Sequence, residues 1–304
     1  MKRIAILSLL VLSACSSLQK NDNDTAETTQ PSRSEPLPTP DIAEDELSPE
    51  VELVTKDLTP APPVNLWDEL AKKQTLTHIT NSRVASHQKH FLRRTDHLVD
   101  RANKAAPYLH YIITELEKRD MPVELAFTPM VESNFDPLAH SVVQAAGLWQ
   151  FMPRTARGFG LTIDQWYDGR RDVVASTHAA LDYYEYLNKM FDGDWLLTVA
   201  AYNVGQGNVL KAMKRNRRQG KATDYWSLKL PRETMRHVPK WIALSNIFLN
   251  SNDFGVDLPF IENTPAFKEV SIEAPANLME LAKIANIDKN VFYRLNPAYN
   301  KLFI

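Results

Sequence analysis

Met130-Val131-Glu132-Ser133-Asn134-Phe135, followed fifteen residues beyond Glu132 by Gly147-Leu148-Trp149-Gln150-Phe151-Met152-Pro153, sets a single carboxylate among apolar side chains. Pro122 stands at a first helical position, which opens a helix from Pro122 to Glu132 and puts Phe127 and Met130 on the turns beside the carboxylate. Desolvation by such neighbours would keep Glu132 protonated enough to donate near neutrality. Protonating a leaving oxygen is what cleavage of a glycosidic bond requires, so the segment points to acid catalysis on sugar. A helix-terminal Glu by itself ordinarily points to water. What surrounds this one decides its reading.

Outward from that segment the pattern is helical from Pro63 onward. Asn65 to Leu76 and Val84 to Asn103 carry apolar residues three and four apart, and Pro107 to Arg119 repeats this with Leu109, Ile112, Ile113 and Leu116. Ala175 to Phe191 aligns Leu181, Tyr184, Leu187 and Phe191 on one stripe. Asp194 caps a helix from Trp195 to Tyr202, which Asn203 and Gly205 close. Pro231 opens a last long helix, which Pro239 kinks or restarts before Trp241 to Asn250. Lys211, Lys214, Arg215, Arg217, Arg218 and Lys221 form the wet face and end of a helix closed by Gly220. The loop 159–172 and Val270 to Ile272 have room for short strands. The fold class is mainly α, a compact helical domain with a cleft over residues 111–259, behind an N-terminal helical extension at 61–110.

The N-terminus carries an address. Lys2 and Arg3 precede the apolar run Ile4 to Leu12 and the stretch Leu12-Ser13-Ala14-Cys15, which are the parts of a signal peptide too short to span a membrane as a mature helix. Cys15 is the one cysteine of the chain, so an intrachain disulfide is excluded. Residues 1–15 resemble the lipobox of bacterial lipoproteins, which implies cleavage before Cys15 and a lipid anchor attached to it. Ser16 follows where an inner-membrane retention signal has Asp, which implies the outer membrane, facing the periplasm.

Residues 16–60 contain six prolines, no aromatic residue and no sustained apolar period, so they read as a disordered tether. Three basic residues against eleven acidic ones give the tether a net charge of −8. With +2 from Lys2 and Arg3 and −2 for the whole chain, residues 61–304 carry +4. An acidic leash on a mildly basic body suits an anionic polymer such as a cell wall, a solvated surface explains +4 equally well, and an exported chain is not expected to meet nucleic acid.

Four separate stretches give the surroundings of Glu132 their meaning. Glu132-Ser133, then Ser141 with Ala145-Ala146-Gly147-Leu148-Trp149-Gln150-Phe151-Met152-Pro153, then Ala200-Ala201-Tyr202-Asn203-Val204-Gly205, then Glu233-Thr234-Met235-Arg236-His237-Val238-Pro239-Lys240 resemble, in order and spacing, the motifs of the soluble lytic transglycosylase family. That family is lysozyme-like, of the goose type, and the likeness runs from about Asn65 to Pro259. It implies that Glu132 is the single catalytic acid and then base, and that Ser141 lies near it in a glycan cleft. Gln150, Met152, Tyr202 and Asn203 would line subsites for the N-acetylated sugars of peptidoglycan strands. Amides and hydroxyls suit acetamido groups and ring hydroxyls, and aromatic faces cover the apolar faces of sugars. His237 departs from the family's Glu-Thr-x-x-Tyr-Val-Pro motif, replacing a phenol that would orient sugar or Glu132. An imidazole can still donate a hydrogen bond, but it titrates near neutrality. Activity is therefore expected to decline as His237 charges.

A second carboxylate is not evident. Asp136 precedes Pro137, a turn signal, and the spacing leaves the distance of Asp164, Asp168 and Asp172 from Glu132 open. The family's mechanism needs one carboxylate because the muramyl 2-acetamido group attacks the anomeric carbon and the C6 hydroxyl then closes a 1,6-anhydro ring. It implies neither metal nor organic cofactor. His87 and His90 have ligand-like spacing but no carboxylate or cysteine cluster nearby, so they read as helix surface. A muramidase that uses water, and a wall-binding lipoprotein with a dead site, stand as alternatives. Further on, Asn277 to Ile287 and Val291 to Pro297 resemble the helical part of a LysM glycan-binding module without its opening Gly-Asp signature. Residues 260–304 are thus expected to be a degenerate LysM-like segment.

Overall fold

The structure, a computed structural model, describes residues 2–7, 62–76, 79–273 and 275–304. Cys15 with its lipobox, and the tether at 16–60, lie outside these residues. The chain runs β1 (Lys2–Leu7), α1 (Leu66–Ala71), α2 (Ser82–Phe91), α3 (Thr95–Glu117), a 3-10 turn Val123–Phe127 and α4 (Thr128–Glu132). It continues through α5 (Pro153–Gly158), α6 (Val173–Met190), α7 (Trp195–Val204), α8 (Gln206–Arg218) and α9 (Thr234–Leu249) to β2 (Phe267–Ile272), α10 (Leu278–Ile284) and α11 (Lys289–Leu295). The architecture is mainly helical, as the periodicity requires.

Side-chain caps fix most of the helix starts. Asn65, Asn81, Asp172 and Asp194 each accept backbone N–H groups from the first turn that follows, which satisfies donors that a helix leaves orphaned. Two prolines lie within helices. Pro107 does not open a helix but sits inside α3, which runs unbroken for 23 residues. Proline removes one backbone bond there, and the burial of Ala102, Ala105, Leu109, Ile112 and Leu116 outweighs that loss. Pro239 likewise lies inside α9, between the buried Val238 and Trp241. The expected helix from Pro122 to Glu132 is instead split into the 3-10 turn and α4, because Pro129 in the first turn of α4 has no N–H to continue the ladder.

The core is one cluster centred on Trp149, Trp241, Tyr184, Phe127 and Phe248, all fully buried. Trp67 and Phe127 both meet Phe248 of α9, at ring-centroid distances of 5.5 and 5.7 Å. The N-terminal extension is thereby welded to the domain rather than appended to it. The C-terminal segment builds a small second cluster from Leu278, Ala282, Phe292 and Ile304. It is tied to the body by Asp168 N–H donating to Ala298 O at 2.8 Å and by the Tyr108 hydroxyl donating to Arg294 O at 3.3 Å. The one sheet among the described residues pairs β1 antiparallel with β2, from Lys2 opposite Ile272 to Leu7 opposite Phe267. Cleavage before Cys15 would remove β1 and leave β2 without that partner.

Candidate active site

Glu132 is the last residue of α4, and the chain turns sharply after it. Asn134 and Phe135 both take φ of 56°, a left-handed conformation that non-glycine residues rarely adopt, so the helix stops at the carboxylate. Phe135 is anchored in the core at 2% exposure, which holds the strained turn. Ser133 Oγ donates to Leu148 O at 2.8 Å and ties the end of α4 to the glycine-opened segment. On the other side Arg101 Nη1 donates to Met130 O at 2.9 Å and Lys240 Nζ to Val131 O at 3.4 Å. Three side chains from three elements therefore fix the last turn before Glu132.

The carboxylate itself meets α9. His237 Nε2 lies 2.9 Å from Glu132 Oε1, with the His237 side chain 7% exposed and the Glu132 side chain 17% exposed. His237 Nδ1 is buried without a partner among the described residues. A bare lone pair on a buried nitrogen costs less than a buried N–H that finds no acceptor. The arrangement thus favours the tautomer in which Nε2–H donates to Glu132. Oε1 is occupied in this way, and no hydrogen bond to Oε2 is present among the described residues.

The other residues singled out by sequence fall into two groups. Tyr202 is close to Glu132: burial pushes its phenol well above the usual range, with Tyr184 and the Glu132 charge adding to the effect. Its ring stacks on Tyr184 at 4.5 Å with planes 6° apart, and its hydroxyl donates to Trp149 O at 2.8 Å. Asn203 Oδ1 accepts from Thr234 Oγ1 at 2.8 Å and so joins the end of α7 to the first turn of α9, one turn before His237. These two residues position the elements that hold the acid and its partner. Gln150, with φ of 49°, turns its amide onto Gly147 O at 2.9 Å and Ala139 O at 3.3 Å. Ser141 Oγ accepts from Ala145 N–H at 2.9 Å, closing a loop whose tip, Val142 and Val143, is exposed. Met152 is 43% exposed where α5 begins. Ser141, Gln150 and Met152 share one loop, and no hydrogen bond links any of them to Glu132.

The carboxylates left open by sequence are all engaged elsewhere. Asp136 accepts from Leu138 N–H, and Asp164 from Trp166 and Tyr167 N–H. Asp172 caps α6 and accepts from the Tyr167 hydroxyl at 2.7 Å. Asp168 forms a two-pronged pair with Arg170, Nε to Oδ1 at 2.9 Å and Nη2 to Oδ2 at 2.7 Å. Glu124, buried at 1% exposure, accepts from Thr75 N–H at 2.6 Å and from Leu76 N–H. None reaches Glu132.

Sequence reasoning missed Arg170, whose Nη1 also donates to Gln144 O at 2.7 Å and braces the loop carrying Gln150. Its backbone explains Gly147 as well. A Cβ at position 147 would stand 1.7 Å from Arg170 O, and φ there is +81°. Arg101 and Lys240 were missed because bonds to backbone carbonyls leave no trace in residue spacing. His87 is half-buried on the rim of a groove that it shares with Lys240, His90 and Arg236, and His90 is exposed.

The transglycosylase SLT domain family matches residues 110–225. Membrane-bound lytic murein transglycosylase D of Escherichia coli (strain K12) is 47% identical over 227 residues, which are 75% of this chain and 50% of that protein. A putative tributyltin chloride resistance protein of Alteromonas sp. (strain M-1) is 54% identical over 110 residues, 36% of this chain and 53% of that one. Membrane-bound lytic murein transglycosylase C of Haemophilus ducreyi is 32% identical over 162 residues, 49% of this chain and 40% of that one. Among solved structures, an inactive mutant of lytic transglycosylase Slt from Pseudomonas aeruginosa is 24% identical with a TM-score of 0.38, covering 52% of this chain and 26% of that one. The chain spans about half the length of the curated relatives it matches. Residues 110–225 belong to the transglycosylase SLT domain family, and the chain is similar to membrane-bound lytic murein transglycosylase D over 75% of its length.

Proposed function

We propose that the protein cleaves the β-1,4 bond between N-acetylmuramic acid and N-acetylglucosamine in peptidoglycan without water, leaving a 1,6-anhydromuramyl end. The observation that carries this reading is a lone carboxylate, Glu132, mostly buried and held by a single imidazole, with Asp136, Asp164, Asp168 and Asp172 each occupied by structural bonds elsewhere. A two-carboxylate hydrolase needs a partner acid or nucleophile on the protein, and the substrate-assisted route does not.

In the first step Glu132 Oε2–H gives its proton to the glycosidic oxygen as the C1–O bond breaks. The carbonyl oxygen of the muramyl 2-acetamido group takes C1 in its place. In the second step the Glu132 carboxylate takes the proton of the C6 hydroxyl, O6 bonds to C1, and the acetamido oxygen leaves. Glu132 ends protonated, ready for the next turn, and no water is consumed. His237 holds Oε1 through both steps, while Tyr202 and Asn203 hold the helices that carry the pair. Gln150, Ser141 and Met152 line the approach to it. Cys15, acylated after leader cleavage, would keep the protein in the cell envelope, on the outer membrane facing the periplasm.

Mass spectrometry of products from purified glycan tests the reading. The expected fragment is one water lighter than a hydrolytic one, and Glu132→Gln abolishes its formation. A reducing-end product would identify a muramidase instead. No product from the native protein would identify a wall-binding lipoprotein.

A further inference from the structure

Behind the last turn of α4 lies a groove of about 630 Å³ between α2, α3 and α9. Its walls include His87, His90, Arg101, Arg236 and Lys240, and no acidic residue lines it. Among the described residues no carboxylate lies within ion-pairing distance of Arg101, Arg236 or Lys240. Arg101 and Lys240 each spend a bond on the backbone carbonyls of Met130 and Val131, which immediately precede Glu132, and both keep further N–H donors. Basic groups converging on one concavity with low-dielectric walls create a focused positive field.

We propose that this groove binds the carboxylates of the peptide stem carried by the muramyl residue being cleaved. The inference rests on the proposed reaction, because that reaction fixes where the muramyl ring must sit. Its C1 has to meet Glu132, and its peptide arm leaves from C3, two ring carbons away. The groove flanks the residues that hold Glu132, Lys240 feels the Glu132 charge, and the groove presents cations where the arm presents anions. The charges of the groove agree. Burial and then Arg101 draw the Lys240 ammonium below its usual range, with Glu132 only partly opposing them. Burial, then Lys240, His90 and Arg236, draw His87 down. A bound carboxylate would relieve these like-charge contacts.

The test compares stem-bearing glycan with glycan stripped of its peptides, using the full chain and the variants Arg236→Ala and His90→Ala, both at exposed positions. The expected result is that Arg236→Ala raises KM for stem-bearing glycan by about five- to tenfold, with kcat and the rate on stripped glycan unchanged. His90→Ala should act in the same direction more weakly. Titration calorimetry with free stem peptide needs no turnover. It should show binding to the native chain that weakens in Arg236→Ala and with added salt. Equal losses on both glycans, or free stem peptide that binds native and Arg236→Ala alike or not at all, would overturn the proposal. If calorimetry succeeds while neither glycan is cleaved, the proposed reaction fails and the anion site stands.

Discussion

Replacing His237 by Phe keeps an aromatic ring in a site that is 7% exposed but removes the nitrogen 2.9 Å from Glu132 Oε1. A hydrogen bond to a charged group is worth about 1.5–3 kcal/mol. Because the Glu132 side chain retains 17% exposure, water can replace part of what is lost, and the lower end applies. About 1.5–2 kcal/mol corresponds to roughly a 10–30-fold fall in kcat. KM should change little, since the bond is to the acid and not to sugar. Stability should hold or rise, because the substitution also removes the buried, unpartnered Nδ1. His237→Tyr, which restores the residue of the resembled motif, should recover most of the rate. Steady-state rates on purified glycan, with a thermal melt of each variant, decide the matter. A His237→Phe rate within twofold of native would refute the assigned role.

Glu132→Gln should lose at least about a hundredfold in rate, as removal of a general acid and base requires, with an unchanged melt and circular dichroism spectrum. Gly147→Ala places a methyl group 1.7 Å from Arg170 O at φ +81°, so the Arg170 segment must move. A loss of about 3 kcal/mol or more is expected, read as a fall in Tm of roughly 6–12 °C. Burial alone would raise Asp168, but its hydrogen bonds and charge contact with Arg170 hold it below the usual value of 3.8. Its folded value is thus depressed, so the stabilisation is full above that pH and is lost as pH falls through the folded value. The stability gap between native and Asp168→Asn in urea melts should be wide at neutral pH and close below about pH 4. A gap that stays constant down to pH 2 would mean that the Arg170 pair contributes through shape rather than charge.

The fold was legible where local chemistry writes it. Asp194 before an apolar run announces a helix start, and the structure has that side chain accepting from Leu196 and Leu197 N–H. Gly205 announces its end, with φ of +83°. Pro107 misled because the cost of one missing bond is local, whereas the burial that overrides it is assembled from residues far along the chain. The same division runs through the site. The apolar company of Glu132 was visible in sequence, but its partner His237 lies 105 residues away. The likeness to a family motif marked His237 as a departure without saying what it touches. The resemblance marked Tyr202, Asn203 and Gln150 as lining sugar subsites, and the bonds that these side chains make to Trp149 O, Thr234 Oγ1 and Gly147 O were not legible in sequence. Residue type states what a group can bond, and three-dimensional packing decides which bond it makes. The strain at Phe135 was unreadable for a related reason. Asn134 tolerates φ of 56° but Phe135 does not favour it, and the anchoring of Phe135 in the core and of Ser133 on Leu148 O forces the turn. Relaxing that anchor would let α4 continue past Glu132 and move the carboxylate away from His237. The strained turn thus belongs to the catalytic geometry as much as the acid does.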